Sequence, residues 1–301
     1  MFKIITLLFS ALSNIDSLNL YSENTLDNIK FIEEHNNNHS NSYELGINQH
    51  IYNVYENEFT KSNMVIDIND KVNENNLDYI IDTPHKFDWR KEGKVTPVKN
   101  QGRCGSCWAF SSTESVESAW AIKNNQLYNL SEQELMDCSD SYGNHGCQGG
   151  AMDNAFHYII DNGLCSNVSY PYESVEDVCK NTTCNKLVHI TNFTDVMQNN
   201  ENILKKAVSI NPVSVAIQAN KRSFQLYQSG IYSDYMCGFN LDHGVLIVGY
   251  GYDELQEMDY WIVKNSWGES WGENGYIRLE RNINDPRGLC GIAMDPSFPI
   301  V

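Results

Sequence analysis

The sequence predicts an α+β fold in which a helical half packs against a half built of strands, and three observations carry that expectation. Apolar side chains recur at helical spacing between residues 106 and 162, period-two alternation and continuous apolar runs take over from about residue 211, and glycine-rich turns separate those runs. Helices followed by strands build two packed halves rather than repeated βαβ units, and a cleft between such halves is a favoured ligand site.

The chain has 301 residues, enough for two domains or for one domain behind a leader. Lys3 precedes an apolar run over residues 4–9, and Ser10, Ala11 and Ser13 follow, the order of a secretory signal peptide, which we place at residues 1–16. No other run approaches the roughly 20 apolar residues that a membrane span requires. Residues 17–82 are rich in asparagine and free of cysteine; all nine cysteines come later. This shift at Thr83-Pro84 predicts a segment destined for removal and a second domain over residues 83–301.

In the second domain, Ala109, Val116 and Trp120 mark a helix from Ser106 to about Lys123, and Ser131 with Glu134 forms a capping box that opens a helix in SEQELMDC. Met152, Ala155, Phe156 and Ile159 give a third helical stripe, stopped at Asn162-Gly163. Val213, Val215 and Ile217 then alternate as a strand, followed by GVLIVGYG, DYWIVKNSW and GYIRLER. We read the GYG at residues 249–251 as a strand end, because it lacks the glycine spacing and the following helix of a dinucleotide fingerprint.

Net charge −18, from 21 basic and 39 acidic residues, argues against a phosphate-backbone partner. Nine cysteines point to an oxidising compartment, with four pairs and one thiol left over; spacing alone leaves 105 connectivities open for eight of them. His145, His157 and His189 show no metal-ligand spacing, and no metal or cofactor is called for. Sequons at Asn38, Asn129, Asn167, Asn181 and Asn192 mark glycan acceptors in a secreted chain, although Ser131 of the Asn129 sequon is committed to capping.

The densest chemistry lies in QGRCGSCWAF, residues 101–110, where Cys107 sits at the start of a helix. Unpaired N–H groups and the helix dipole favour a thiolate there. His243 in LDHGVLIVGY and Asn265 in KNSWG follow 136 and 158 residues later, so a thiol, an imidazole and a side-chain amide can meet across the cleft. Cys104-Gly-Ser-Cys107 is also formally a C-x-x-C redox motif, but no βαβ pattern accompanies it.

These residues resemble the papain-like cysteine proteases, of the cathepsin L-like subgroup. The resemblance runs from FDWR at Phe87 through TPVKNQGRCGSCWAF, NLSEQELMDC, GCQGGAMDNAF, YPY, DHGVLIVGYG and KNSWGESWGENGYIRL to PSFPIV. It implies a two-domain fold with a helical left half and a β-barrel-like right half, and an endopeptidase made as a secreted or lysosomal zymogen that is active at acidic pH. Cys107 would be the nucleophile, His243 the base and then the acid, Asn265 the group that orients the imidazole, and Gln101 an oxyanion donor beside the Cys107 N–H. Trp267 would shield the His243–Asn265 pair. The implied disulfides are Cys104–Cys147, Cys138–Cys179 and Cys237–Cys290, to which Cys165–Cys184 is added as a fourth. Gly149, Gly150, Ala151, Met152, Ala216, Leu241, Asp242 and Gly244 would line the substrate cleft, with Asp295 at the floor of the main specificity pocket.

Protein and peptide substrates, cystatin-type inhibitors and the chain's own prosegment are the implied partners, with a monomer as the working state. The prosegment departs from the family pattern. Asn28, Ile32 and Asn36 fit the second half of the pro-helix motif and residues 45–48 the next block, but Ser17, Tyr21 and Thr25 stand at the positions of the first half. His50 and Tyr52 replace a phenylalanine and an aspartate. Residues 1–82 and 83–301 also each carry −9, from 4 basic with 13 acidic residues and 17 with 26. A weakened inhibitor, or a true start upstream of Met1, is the consequence expected from these departures.

Overall fold

A computed structural model describes residues 23–52 and 83–301; the signal segment, Ser17, Tyr21 and the junction at residues 81 and 82 lie outside them. The leader contributes helix α1 (Glu23–Asn36) and strand β1 (Tyr43–Leu45). Two asparagines of the pro-helix motif tie these together. Asn36 pairs through its amide with both the N–H and the carbonyl of Leu45, and Asn28 Nδ2 donates to Ile51 O at 2.7 Å.

After β2 (Phe87–Asp88) the helical half follows, with α2 (Cys107–Asn124), α3 (Glu132–Cys138) and α4 (Met152–Asn162). In α4 the expected stripe is buried, together with Tyr158, and Gly163 at φ 72° ends the helix as its lack of a side chain permits. The capping box is only half made. Ser131 Oγ accepts from the Glu134 N–H at 3.0 Å, but Glu134 reaches away to the Cys165 N–H, to Tyr158 and to Lys186 instead of back to Ser131. A tertiary tie thus replaces the reciprocal cap.

The second half holds β3 (Leu164–Cys165), β4 (Lys186–Val188), β5 (Asn192–Asp195), α5 (Glu201–Ile210), β6 (Val213–Ile217), α6 (Arg222–Gln225), β7 (Tyr227–Tyr232), β8 (His243–Asp253), β9 (Met258–Lys264), β10 (Tyr276–Glu280) and β11 (Ser297–Ile300). Strands and helices therefore interleave more than the sequence reading allowed. It passed over α5, whose start is capped by Asn200 accepting from the Asn202 and Ile203 N–H groups.

The main sheet runs β1-β7-β10-β9-β8-β6-β11-β5, with β2 on β8, and β10–β7 is its parallel pair. Among the described residues β1 and β5 do not meet, so the barrel-like half is an open sheet rather than a closed barrel. The GYG triplet is not a strand end, as we had expected: β8 continues through it to Asp253, with a bulge between Ile247 and Gly249. Gly249 serves close approach, since a Cβ there would lie 2.3 Å from Phe87 O on β2.

Helix α2 joins the halves. Fourteen of its 18 residues are buried, so nearly every face touches protein. Its serines fasten it to the sheet: Ser111 Oγ donates to Val245 O at 2.7 Å, Ser115 Oγ to Pro212 O at 2.9 Å, and Ser214 Oγ to Ser111 O at 3.0 Å. Two apolar cores lie on either side, one around Phe156 and Leu135, the other around Trp261, Trp267 and Phe224.

Candidate active site

Cys107 is the first residue of α2 and is buried; His243 opens β8, and Asn265 follows the last residue of β9. Register brings the two halves together here. Ala216 pairs with Gly244 across β6 and β8, and a Cβ on Gly244 would lie 3.2 Å from Cys107 O and 3.3 Å from Met152 Sδ. Glycine beside His243 thus lets the start of β8 press against the start of α2, joining Cys107, Met152, Ala216 and Gly244 at one place.

His243 Nε2 lies 2.7 Å from Asn265 Oδ1. A carboxamide oxygen only accepts, so Nε2 carries the proton and Nδ1 is the basic nitrogen. Nδ1 is buried with no hydrogen-bond partner among the described residues. Asn265 Oδ1 is held in turn by the Ser266 N–H at 2.8 Å. Burial lowers the His243 pKa to about 4 against the upward pull of the Asn265 bond. Trp267 covers the pair, its ring 4.8 Å from the imidazole at 30°. Asp242, next in sequence, is pushed up to about 7 by burial, against N–H donors that include Ala219 at 2.7 Å.

Gln101 is buried and fixed at both ends of its amide: Oε1 accepts from Ser266 Oγ at 2.7 Å, and Nε2 donates to Cys104 O at 2.9 Å. Its N–H also donates to Ser266 O at 2.8 Å, so residues 99–101 run beside 266–268 and bring Gln101 next to Asn265. One amide proton of Gln101 is thereby spent on Cys104 O. Ser266 went unread in the sequence although it sits inside KNSWG; its position beside Asn265 was the available signal.

The remaining expected cleft residues are placed with less unity. Gly149 takes φ 117°, and Gly150 packs so closely that a Cβ would meet Trp108 at 2.7 Å. Ala151 is buried, and Leu241 lies against Gly291, whose Cβ would meet it at 2.7 Å. Asp295 is 7% exposed, so it is a buried side chain.

Four disulfides join Cys104 to Cys147, Cys138 to Cys179, Cys165 to Cys184 and Cys237 to Cys290, leaving Cys107 outside them. Cys104 is therefore bonded to Cys147, and C-x-x-C is not a redox pair in this fold.

The leader lies over this region. β1 adds antiparallel to the edge of β7, Gln49 Nε2 donates to Trp267 O at 2.6 Å, and Asn48 Nδ2 donates to Gln225 O at 2.9 Å. Arg222 meets Asp27 at 3.0 Å and the Phe31 ring at 4.3 Å. Local pairing of this kind overrides the like net charges of leader and body.

The family model described as papain family cysteine protease matches residues 83–300. The chain is 46% identical to oryzain beta chain of Oryza sativa subsp. japonica, over 91% of this chain and 59% of that protein, and 53% identical to cathepsin L of Sarcophaga peregrina, over 73% and 65%. Among solved structures, the proform of the ragweed pollen allergen Amb a 11, a cysteine protease, superposes with a TM-score of 0.86 at 36% identity, covering 93% of this chain and 81% of that one. The chain spans 59% to 61% of the length of the rice protein and of three related Arabidopsis thaliana proteases. On this match, with the α+β architecture and the Cys107, His243 and Asn265 arrangement in place, the chain belongs to the papain family of cysteine proteases.

Proposed function

We propose that residues 83–301 form a cysteine endopeptidase and that the leader is its inhibitory prosegment. The observation that carries this reading is the 2.7 Å bond between His243 Nε2 and Asn265 Oδ1, which fixes the tautomer and makes Nδ1 the base in a site that also contains a thiol at a helix start. In the proposed reaction His243 Nδ1 first takes the Cys107 thiol proton, and the resulting Cys107 thiolate attacks the scissile carbonyl carbon. A C–S bond forms, and the carbonyl electron pair moves onto oxygen, where the Cys107 N–H and Gln101 Nε2 receive it. As the C–N bond breaks, His243 Nδ1 gives its proton to the leaving amine. Water then cleaves the thioester, with His243 taking the water's proton and the thiolate departing.

Docking of the leader on Trp267, which also packs on His243, supports a latent form. Four disulfides support maturation in an oxidising compartment, the secretory route to a lysosome-like or extracellular site. A peptide-library cleavage profile of the processed chain, with and without an epoxide that alkylates active-site thiols, tests the reading. Internal cleavage abolished by the epoxide is expected; exclusive release of terminal dipeptides, or turnover that survives the epoxide, would refute it.

A further inference from the structure

Tyr172, the second tyrosine of YPY, makes two hydrogen bonds of 2.7 Å, to Gln101 O and to Ser106 Oγ. The Gln101 carbonyl can only accept, so the phenol proton goes there, and the Ser106 hydroxyl must donate to the phenol oxygen. The ring is held edge-on to Phe110, with centroids 4.8 Å apart at 79°, and Ser174 Oγ adds a longer bond to Gln101 O at 3.4 Å. Burial pushes the phenol up to about 12, so it remains a donor at any working pH.

Ser106 occupies the N-cap position of α2, and serine there ordinarily turns its oxygen onto the N–H groups of the first turn. Ser131 and Asn200 do this at α3 and α5. Ser106 does not: at φ −101°, ψ 14° it makes no side-chain cap. Its hydroxyl is drawn off by Tyr172 at the one helix start whose N–H groups are asked to meet a thiolate and an oxyanion. The same phenol holds the peptide of Gln101, the other proposed donor.

We infer that Tyr172 is a positioning residue of the oxyanion site, tying the Gln101 and Ser106 backbones together and keeping the Ser106 hydroxyl off the start of α2. This rests on the protease reading above.

The test compares Tyr172→Phe with the unaltered processed enzyme. The oxyanion is absent from simple thiol alkylation and present in the adduct of a peptide aldehyde, so the two probes separate geometry at the donors from general damage. Tyr172→Phe should lower kcat roughly 10-fold with KM within about twofold, and weaken the peptide aldehyde by a similar factor, while iodoacetamide alkylation of Cys107 stays within about twofold. Ser106→Ala, which keeps the Gln101 tie, should weaken the aldehyde by about threefold and serves if the first variant does not fold. Unchanged aldehyde affinity and kcat in the variants overturn the inference, as does a loss of alkylation in parallel with kcat, which would mark a merely structural role. An unaltered enzyme that hydrolyses no peptide sinks the protease reading instead.

Discussion

His50 of the leader and His243 of the site share one indole: the Trp267 ring lies 4.7 Å from the first imidazole and 4.8 Å from the second. His50 is only 2% exposed. Burial first, and the neighbouring His243 charge second, lower its pKa from 6.5 to about 4. A docked pKa below the free value means that docking favours neutral His50. The leader is therefore held fully above about pH 6.5, is loosened as pH falls towards 4, and loses nothing more below that; 2.5 pH units correspond to roughly 300-fold in docking. His50→Phe should shift half-maximal self-processing down by about one pH unit. Identical pH profiles for the two proteins would rule out this latch.

Removing either reacting group should be far more damaging than removing the group that orients them. Cys107→Ser and His243→Ala should each lower hydrolysis by at least about 10³-fold in folded protein, and Asn265→Ala by roughly 10- to 100-fold. Steady-state turnover, alongside a thermal melt for each variant, checks the order. Near-normal rates in Cys107→Ser would end the mechanism.

Processing is expected near residues 82 and 83, giving a product of 219 residues. The structure adds a physical bound to that position. Phe87 and Asp88 pair with Tyr250 and Gly249 on β8, and Trp89 Nε1 donates to Val208 O at 2.7 Å, so a cut within residues 87–89 would strip a strand from the sheet. N-terminal sequencing of acid-activated protein should find a start before Phe87.

Asp295 is buried, and as the proposed floor of the specificity pocket it should admit a basic side chain there as well as leucine. The ratio of arginine to leucine turnover should collapse in Asp295→Ala. A ratio indifferent to that substitution would place the carboxylate elsewhere.

Lys264 Nζ meets Glu114 at 2.9 Å with both side chains shut off from solvent, directly before Asn265. Lys264→Met leaves a carboxylate stranded in the interior and should lower stability by about 3–5 kcal/mol, whereas Lys264→Met with Glu114→Leu should recover most of it. Denaturant melts of the single and double variants decide this.

That buried pair also shows where reading the sequence stops. The stripe of Ala109, Val116 and Trp120 announced α2, but not that Glu114 and Glu117 on its other faces would be interior, because their partners Lys264, Lys99 and Thr96 are distant in sequence. Cys107, His243, Asn265 and Gln101 were legible because each sits in a dense local pattern with its own chemistry. Ser266 and Tyr172 were quoted within motifs yet unread, since a hydroxyl's partner is decided by tertiary approach. Helix α5 was missed for a related reason: its apolar face, Ile203, Leu204, Ala207 and Val208, is short and flanked by charge, and its stability comes from packing under the sheet.

The addition of β1 to the edge of β7 has a consequence for the lifetime of the working enzyme. Three leader residues pair with β7, against two from its other neighbour, β10. Once the leader has been cut away, the molecule holds a shape that was completed by a piece it no longer owns. Thermal opening of that edge would then lack the strand that paired with it. The lifetime of such a processed chain would then be set by how slowly it opens, rather than by any balance between folded and unfolded forms.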